Sequence, residues 1–157
     1  MENVERELVE QYTRRKKTFC CAESCTGGMI GMRVTGVPGA SAVFWGSIVS
    51  YANEVKIAAL GVREDTLRAF GAVSGETACE MARGARKLCG TDAAVSVTGI
   101  AGPGGGTAEK PVGTVWFGID TEEGTRCEKV QFDPTLSREE IRRSAAEHAM
   151  RMLMGGV

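Results

Sequence analysis

The stretch that most constrains the fold is the run Ala-Glu-Ser-Cys-Thr-Gly-Gly at positions 22–28. It follows a short apolar segment with strand propensity (residues 18–21), and the residues from Met29 onward suit a helix. Glycines at such a junction permit a tight turn with positive φ. The first turn of a helix also offers unpaired N–H groups. The run therefore predicts a strand–turn–helix corner that can hold a nucleophile, an anion or only a helix cap.

Hydrophobic periodicity and cap residues predict the other elements. The predicted helices cover residues 2–16, 29–34, 53–60 with Asn53 as cap, 62–70, 75–90 with Ser74 as cap and Leu88 on the apolar face, and 137–154 with a Ser137–Glu140 capping box. The predicted strands cover residues 18–22, 43–51, 92–98, 112–120 and 126–132, the last two joined at 122–124. This order indicates a three-layer α/β/α domain with a mixed, mostly parallel sheet and a C-terminal hairpin and helix.

Composition limits the class of protein. A chain of 157 residues is expected to form one domain, here residues 1–157, with a substantial core. The apolar fraction of 43% and charged fraction of 25% are ordinary for a soluble globular protein. A net charge of −1 gives no support for binding nucleic acid or an anionic membrane. The absence of a long apolar run and the acidic start favour a cytoplasmic location without a secretory signal.

The six cysteines do not form a recognisable metal or disulfide pattern. Their spacing is irregular and the chain has one histidine, so we expect neither a structural zinc site nor a disulfide scaffold. Most are expected to be small buried hydrophobic residues. Cys25 is the exception, because a position at the start of a helix can lower the pKa of a thiol.

A serine at the turn is a candidate nucleophile only if a base accepts its proton. His148 lies late in the last helix, with no motif that links it to Ser24. Lys56 is an alternative base if burial lowers its pKa, and Tyr51 can relay the proton or orient the lysine. The residues alone favour a cap or ligand-loop role for Ser24 and a solvated helix position for Lys56.

Two further segments suggest an anionic ligand. The loop from Thr98 to Gly106 is rich in glycines whose backbone N–H groups can approach a phosphate, although it matches no established phosphate-binding motif. A mobile surface loop is the alternative. Arg138, Arg142 and Arg143 open the last helix, where positive charge opposes the helix dipole. That mismatch favours an anionic partner, although surface arginines beside acidic neighbours are a simpler explanation.

Taken together, four separated segments resemble the CinA C-terminal domain family, which includes stand-alone nicotinamide-nucleotide amidohydrolases (nicotinamide mononucleotide deamidases). The segments are AESCTGG, SYANEVK, GAVSGETACEMARGA and SVTGIAGPGGGTAEKPVGTVWFG. The resemblance extends from Ala22 to the last helix, and the segments occur in the family's order. It implies a cytoplasmic Ser/Lys hydrolase of pyridine-nucleotide salvage, with no metal and no cofactor. Such an enzyme converts nicotinamide mononucleotide to nicotinate mononucleotide and ammonia.

The resemblance also implies roles for particular residues. Ser24 is the expected nucleophile, Lys56 its base and Tyr51 an assisting hydroxyl, with oxyanion donors from the helix start after Cys25. The expected substrate-binding residues are Thr26, Gly27, Gly28, Asn53, Thr98, Gly99, Gly102 and Arg142. The segment before the arginines lacks the family's usual short glycine-containing turn, so the choice among Arg138, Arg142 and Arg143 stays open.

Alternative functions remain at the sequence level. A non-catalytic nucleotide-binding module of the same fold would keep the pocket as a regulatory surface. Thiol chemistry at Cys25 would replace the serine mechanism. The expected partner is a small nucleotide, and a homodimer is predicted, with the apolar hairpin residues Val115, Trp116 and Phe117 as a contact surface.

Overall fold

The computed structural model describes residues 3–155 and contains one five-stranded sheet flanked by helices. The strands are β1 (Phe19–Glu23), β2 (Phe44–Val49), β3 (Ala93–Gly99), β4 (Thr114–Thr121) and β5 (Gly124–Gln131). The α-helices are α1 (Val4–Arg15), α2 (Met29–Thr35), α3 (Asn53–Leu60), α4 (Glu64–Phe70), α5 (Gly75–Cys89) and α6 (Arg138–Gly155). A single 3₁₀ turn spans Ala40–Ala42.

The sheet order is β2-β1-β3-β4-β5. The three strands β2, β1 and β3 are parallel, and β4 and β5 add an antiparallel hairpin at one edge. Helices α1, α2 and α6 cover one face, while α5 crosses the other and carries α3 and α4 on its flank. The expected α/β/α architecture with a C-terminal hairpin and helix is therefore confirmed.

Strand β1 lies at the centre of the molecule and separates two apolar clusters. All five of its residues are buried. Phe19 and Cys21 pack in the cluster beneath α1, α2 and α6, and Cys20 and Ala22 pack in the cluster beneath α5. This alternation is what the two-residue period of a strand requires when both faces are covered. It fixes the face from which each residue at the end of β1 projects.

Several local expectations were wrong. Ala52, not Asn53, is the N-cap of α3, and Asn53 is the first helical residue, without a side-chain cap hydrogen bond. Leu88 lies near the end of α5 and is 62% exposed, outside the buried face of that helix. Val62 and Tyr51 lie outside the helix and strand to which they were assigned. The capping box at the start of α6 is confirmed, because Ser137 and Glu140 exchange side-chain-to-backbone hydrogen bonds.

The hairpin offers less surface to a second copy than expected. Val115 and Phe117 are fully buried in the cluster beneath α6, because successive residues of β4 alternate between the two faces of the sheet. Trp116 projects to the opposite face, where it lies against Gly75 at the start of α5. The proposed dimer contact through all three residues is therefore wrong. Dimerisation itself stays a prediction.

Candidate active site

A row of hydroxyl side chains crosses the sheet where the parallel strands end. Ser50 N–H donates to the Glu23 carbonyl at 2.8 Å, and Ser24 N–H donates to the Val97 carbonyl at 3.0 Å. The parallel ladder thus continues one residue beyond the strands and aligns Ser24 with Ser50 on one side and Thr98 on the other. Side-chain alternation places all three on the α5 face. This edge of a parallel sheet is where α/β folds place ligands.

Lys56 reaches this row from the first turns of α3. Its side chain is 1% exposed, and its Nζ lies 3.0 Å from Ser24 Oγ. The same Nζ donates to the backbone carbonyls of Ser50 at 2.8 Å and Tyr51 at 3.0 Å. The sequence alone favoured a solvated position for this lysine, and the structure shows a buried one. Its only side-chain partner among the described residues is the hydroxyl of Ser24.

Burial lowers the pKa of Lys56 from its usual value of 10.5, because the ammonium form loses hydration. The nearby Cys25 thiol, in its ionised form, acts weakly in the opposite direction. A depressed pKa raises the fraction of neutral amine near neutral pH, and the neutral amine is the form that can accept a proton. Ser24 therefore has a potential base within hydrogen-bond distance.

Glu23, immediately before Ser24, organises the turn from the opposite face of the sheet. Its carboxylate is fully buried and accepts hydrogen bonds from Thr26 Oγ1 (2.7 Å), Ile30 N (2.9 Å), Gly31 N (3.1 Å) and Ser47 Oγ (2.5 Å). A negative charge at a helix N-terminus is favourable. Because this carboxylate occupies the Ile30 and Gly31 amides in the first turn of α2, an oxyanion donor at this helix start must come from the turn before them.

Two arginines of α6 hold the site from the other side. Arg142 donates through Nε to the Cys25 carbonyl at 2.9 Å and through Nη2 to the Thr26 carbonyl at 3.0 Å. Arg138 donates to the Gly102 carbonyl at 2.8 Å and lies 3.4 Å from the Tyr51 hydroxyl. Both arginines are therefore within the site.

Arg143, the third arginine at the start of α6, faces away from the site. It is exposed and forms an ion pair with Glu139 one turn earlier. Such i, i+4 pairs on a helix surface contribute little to stability. Of the three arginines left open by the sequence, Arg138 and Arg142 reach the turn and the glycine-rich loop, and Arg143 does not.

Cys25 is a poor candidate for thiol chemistry. Burial raises the pKa of its thiol to about 11, an effect that the nearby Arg142 only partly offsets. The expected lowering of this pKa was wrong, because the side chain enters the apolar cluster beneath α6 and does not face solvent. A buried thiol in apolar surroundings is a weak nucleophile.

The other expected site residues surround Ser24 without all facing it. Gly27 and Gly28 adopt positive φ of 60° and 102°, as predicted for a tight turn. Asn53 is exposed at the start of α3, and the Thr98 hydroxyl donates to the Ala72 carbonyl. Gly99 ends β3, and Gly102 lies in the glycine-rich loop. Tyr51 is 63% exposed, and its hydroxyl lies beside Arg138. The substrate roles of these residues stay predictions.

Two residues near Ser24 were missed as site residues. The position of Glu23 could have been noticed in the sequence. A carboxylate at the end of a buried apolar strand needs hydrogen-bond donors, and the helix that starts just after it supplies N–H groups. Ser50 carried none, because its position beside Ser24 depends on the register between β1 and β2. That register follows from the packing of the two faces and is not encoded in any short motif.

Comparisons with known proteins place this chain in a family. Residues 1–156 match the family model for the CinA C-terminal domain. A CinA-like protein of Thermotoga maritima is 49% identical over 152 residues, which cover 97% of this chain and 36% of the relative. A CinA-like protein of Leptospira borgpetersenii is 58% identical over 113 residues, covering 72% and 27% respectively. The chain thus spans about a third of the length of these curated relatives.

Solved structures agree with the family model. The competence/damage inducible protein CihA of Agrobacterium tumefaciens has a TM-score of 0.94 at 40% identity, covering 99% of this chain and 96% of that one. A CinA superfamily protein of Escherichia coli has a TM-score of 0.93 at 27% identity, covering 99% and 90%. The fold and site define an α/β/α domain in which a buried Ser–Lys pair lies where the parallel strands end. The chain belongs to the CinA C-terminal domain family.

No helix within residues 3–155 is long and apolar enough to cross a bilayer.

Proposed function

We propose that this chain is an amidohydrolase that converts nicotinamide mononucleotide to nicotinate mononucleotide and ammonia. The observation that carries the proposal is the 3.0 Å contact between the buried Lys56 Nζ and Ser24 Oγ. Amide hydrolysis through an acyl-enzyme needs a nucleophile, a base that returns its proton to the departing amine, and donors for the oxyanion. The site offers a candidate for each role.

The surroundings of Lys56 suit a neutral amine. A neutral amine has two N–H donors and one lone pair. The carbonyls of Ser50 and Tyr51 accept the two N–H groups, which directs the lone pair toward Ser24 Oγ. Fixing a base in this orientation before reaction lowers the entropic cost of the proton transfer. The lowered pKa of Lys56 acts in the same direction.

The chemistry proceeds in two halves. Lys56 takes the hydroxyl proton as Ser24 Oγ attacks the carboxamide carbon, and then gives that proton to the nitrogen, which leaves as ammonia. Water attacks the resulting ester with Lys56 again as base, and the serine hydroxyl is regenerated with release of the carboxylate. The amide of Gly28, which has no acceptor among the described residues, is the turn donor for the oxyanion.

The substrate class fits the groups around Ser24. Arg138 and the glycine-rich loop supply positive charge and backbone N–H groups of the kind that bind a phosphate. Exposed Tyr51 offers an aromatic face beside Arg138 for the pyridine ring. The local positive charge of Arg138 and Arg142 is compatible with the overall charge of −1, since a single nucleotide needs only a few cations.

The direct test is ammonia release from nicotinamide mononucleotide, in the presence of EDTA, by wild type, Ser24→Ala and Cys25→Ala. We expect wild-type turnover to fall by at least ~10³-fold in Ser24→Ala. We expect Cys25→Ala to retain most of the activity. Activity lost in Cys25→Ala but kept in Ser24→Ala would instead identify a thiol mechanism. No turnover by folded wild type, with nucleotide binding retained, would indicate the non-catalytic binding module.

A further inference from the structure

Ser50 has the one buried side-chain polar atom without a hydrogen-bond partner among the described residues. The residue is 0% exposed, and its Oγ makes no hydrogen bond within residues 3–155. An unpaired buried hydroxyl is unfavourable, because it has left water without a replacement partner. Such a group in a well-packed domain needs an explanation, and its location offers one.

Ser50 lies beside both members of the Ser–Lys pair. The ladder places it opposite Ser24, with its side chain on the same face of the sheet. Its own carbonyl accepts a hydrogen bond from Lys56 Nζ at 2.8 Å. The unpaired hydroxyl therefore belongs to the same residue as a carbonyl oxygen that Lys56 Nζ already contacts.

The need for another acceptor arises during the proposed reaction. An ammonium has three N–H groups, and in the free site Lys56 has three acceptors, namely Ser24 Oγ and the carbonyls of Ser50 and Tyr51. Once Ser24 Oγ has bonded to the carboxamide carbon, it accepts hydrogen bonds poorly. One N–H group of the buried ammonium then loses its partner at the moment when Lys56 carries the proton.

We propose that the Ser50 hydroxyl is the acceptor that holds this third N–H group of Lys56 while Lys56 carries the proton, between the attack of Ser24 and the departure of ammonia. Ser50 is a positioning residue that acts through Lys56 and neither gains nor loses a proton. The proton moves from Ser24 Oγ to Lys56 Nζ and then to the departing nitrogen. In the interval between these two transfers, rotation about the Cα–Cβ bond of Ser50 brings its Oγ into contact with Lys56 Nζ. The inference rests on the proposed Ser–Lys function and not on the identity of the amide.

The test compares wild type with Ser50→Ala in the free form and with Ser24 sulfonylated. Phenylmethylsulfonyl fluoride converts an activated serine to a stable sulfonyl ester, whose tetrahedral sulfur imitates the tetrahedral carbon bonded to Ser24 Oγ. NMR of isotope-labelled lysine side chains, with the Lys56 signal assigned by Lys56→Met, then gives the pKa of Lys56 in each form. We expect Ser50→Ala to lower this pKa by about half to one unit in the ester form, with a smaller change in the free form.

Kinetics and stability provide further readouts. We expect kcat for nicotinamide mononucleotide to fall about tenfold in Ser50→Ala with KM within about twofold, because the effect lies in the reaction and not in binding. We expect Tm to match or exceed that of wild type, because the lost hydroxyl had no partner. Ser47→Ala is the matched control: its hydroxyl donates to Glu23, so we expect a lower Tm with an unmoved Lys56 pKa.

The outcomes separate this inference from the proposed substrate. Equal Lys56 pKa values in the two ester forms would overturn the role of Ser50, whatever the substrate. A shifted pKa without turnover of nicotinamide mononucleotide would support Ser50 and contradict the proposed substrate. A wild type whose Ser24 is not sulfonylated at any pH would overturn both, because Ser24 would then not be activated.

Discussion

The two glycine-rich segments of this protein look alike in sequence and differ in structure. The turn of residues 24–28 is held from three sides, by Glu23 beneath it, by Arg142 above it and by the hydrogen bond from Ser24 to β3. In the loop between β3 and β4, residues 103–109 are all exposed, and Arg138 holds it at Gly102. Glycine content alone therefore does not distinguish a fixed catalytic turn from an open ligand loop.

The difference has a physical origin in what lies next to each segment. The turn joins a central buried strand to a helix, so its polar groups must be satisfied by protein atoms. The loop runs over the surface, where water can satisfy its backbone. A nucleophile needs a fixed position relative to its base, whereas a ligand loop can close after binding. The proposed roles of Ser24 and of the loop follow this division.

The largest expected effect on stability is at Glu23. Glu23→Ala leaves two helix amides and two hydroxyl groups buried without an acceptor, and we expect a loss of about 3–5 kcal/mol in the free energy of unfolding. Urea denaturation measures it. Glu139→Ala, an exposed carboxylate on α6, is the control and should change stability by less than about 0.5 kcal/mol. Equal losses in both variants would contradict the proposal that the Glu23 carboxylate stabilises the turn of residues 24–28.

An intermediate effect is expected at Arg142. Arg142→Met removes two charge-assisted hydrogen bonds to carbonyls of the turn, at an expected cost of about 1–3 kcal/mol. A loosened turn should also lower kcat by about tenfold through misplacement of Ser24. Arg143→Met is the matched control, with both parameters near wild type. A rise in KM alone in Arg142→Met would identify this arginine as a substrate contact and not as a brace.

The smallest effects compare one glycine from each segment. A Cβ at Gly27, where φ is +60°, would lie 3.3 Å from the Arg142 guanidinium, whereas a Cβ at Gly104 would meet no atom within 4 Å. We expect Gly27→Ala to cost about 1–2 kcal/mol, mostly from the left-handed backbone. Gly104→Ala should stay within about 0.5 kcal/mol of wild type. Thermal unfolding of the two variants side by side would show whether the turn is the more constrained segment.

The sequence predicted the architecture because each element carried its own local signal. Alternating strands and helices, the capping box at Ser137 and the turn at 122–124 needed no long-range information. The side-chain environments were less predictable. Cys25 was expected to have a pKa lowered by the helix start, and it instead packs in the core beneath α6, where burial raises that pKa. The burial of Lys56 and the position of Ser50 likewise depend on how distant segments meet.

The resemblance to the CinA family predicted a pairing of Ser24 with Lys56 that the sequence spacing alone did not predict. Ser24 and Lys56 are 32 positions apart, and the residues by themselves favoured a cap and a solvated lysine. Their 3.0 Å contact arises because α3 returns over the end of β1, which no local pattern encodes. The same packing shields the lysine from water and so lowers its pKa.

The most direct test of the Ser–Lys proposal is the pH dependence of kcat/KM for nicotinamide mononucleotide. The active form of a lysine base is the neutral amine, so activity should rise with pH along one ionisation whose pKa lies below 10.5. Lys56→Arg keeps a buried cation that cannot deprotonate, and it should remove this activity at every pH. A profile that falls as pH rises from acidic to neutral, or an active Lys56→Arg variant, would contradict a neutral Lys56 as the base for Ser24.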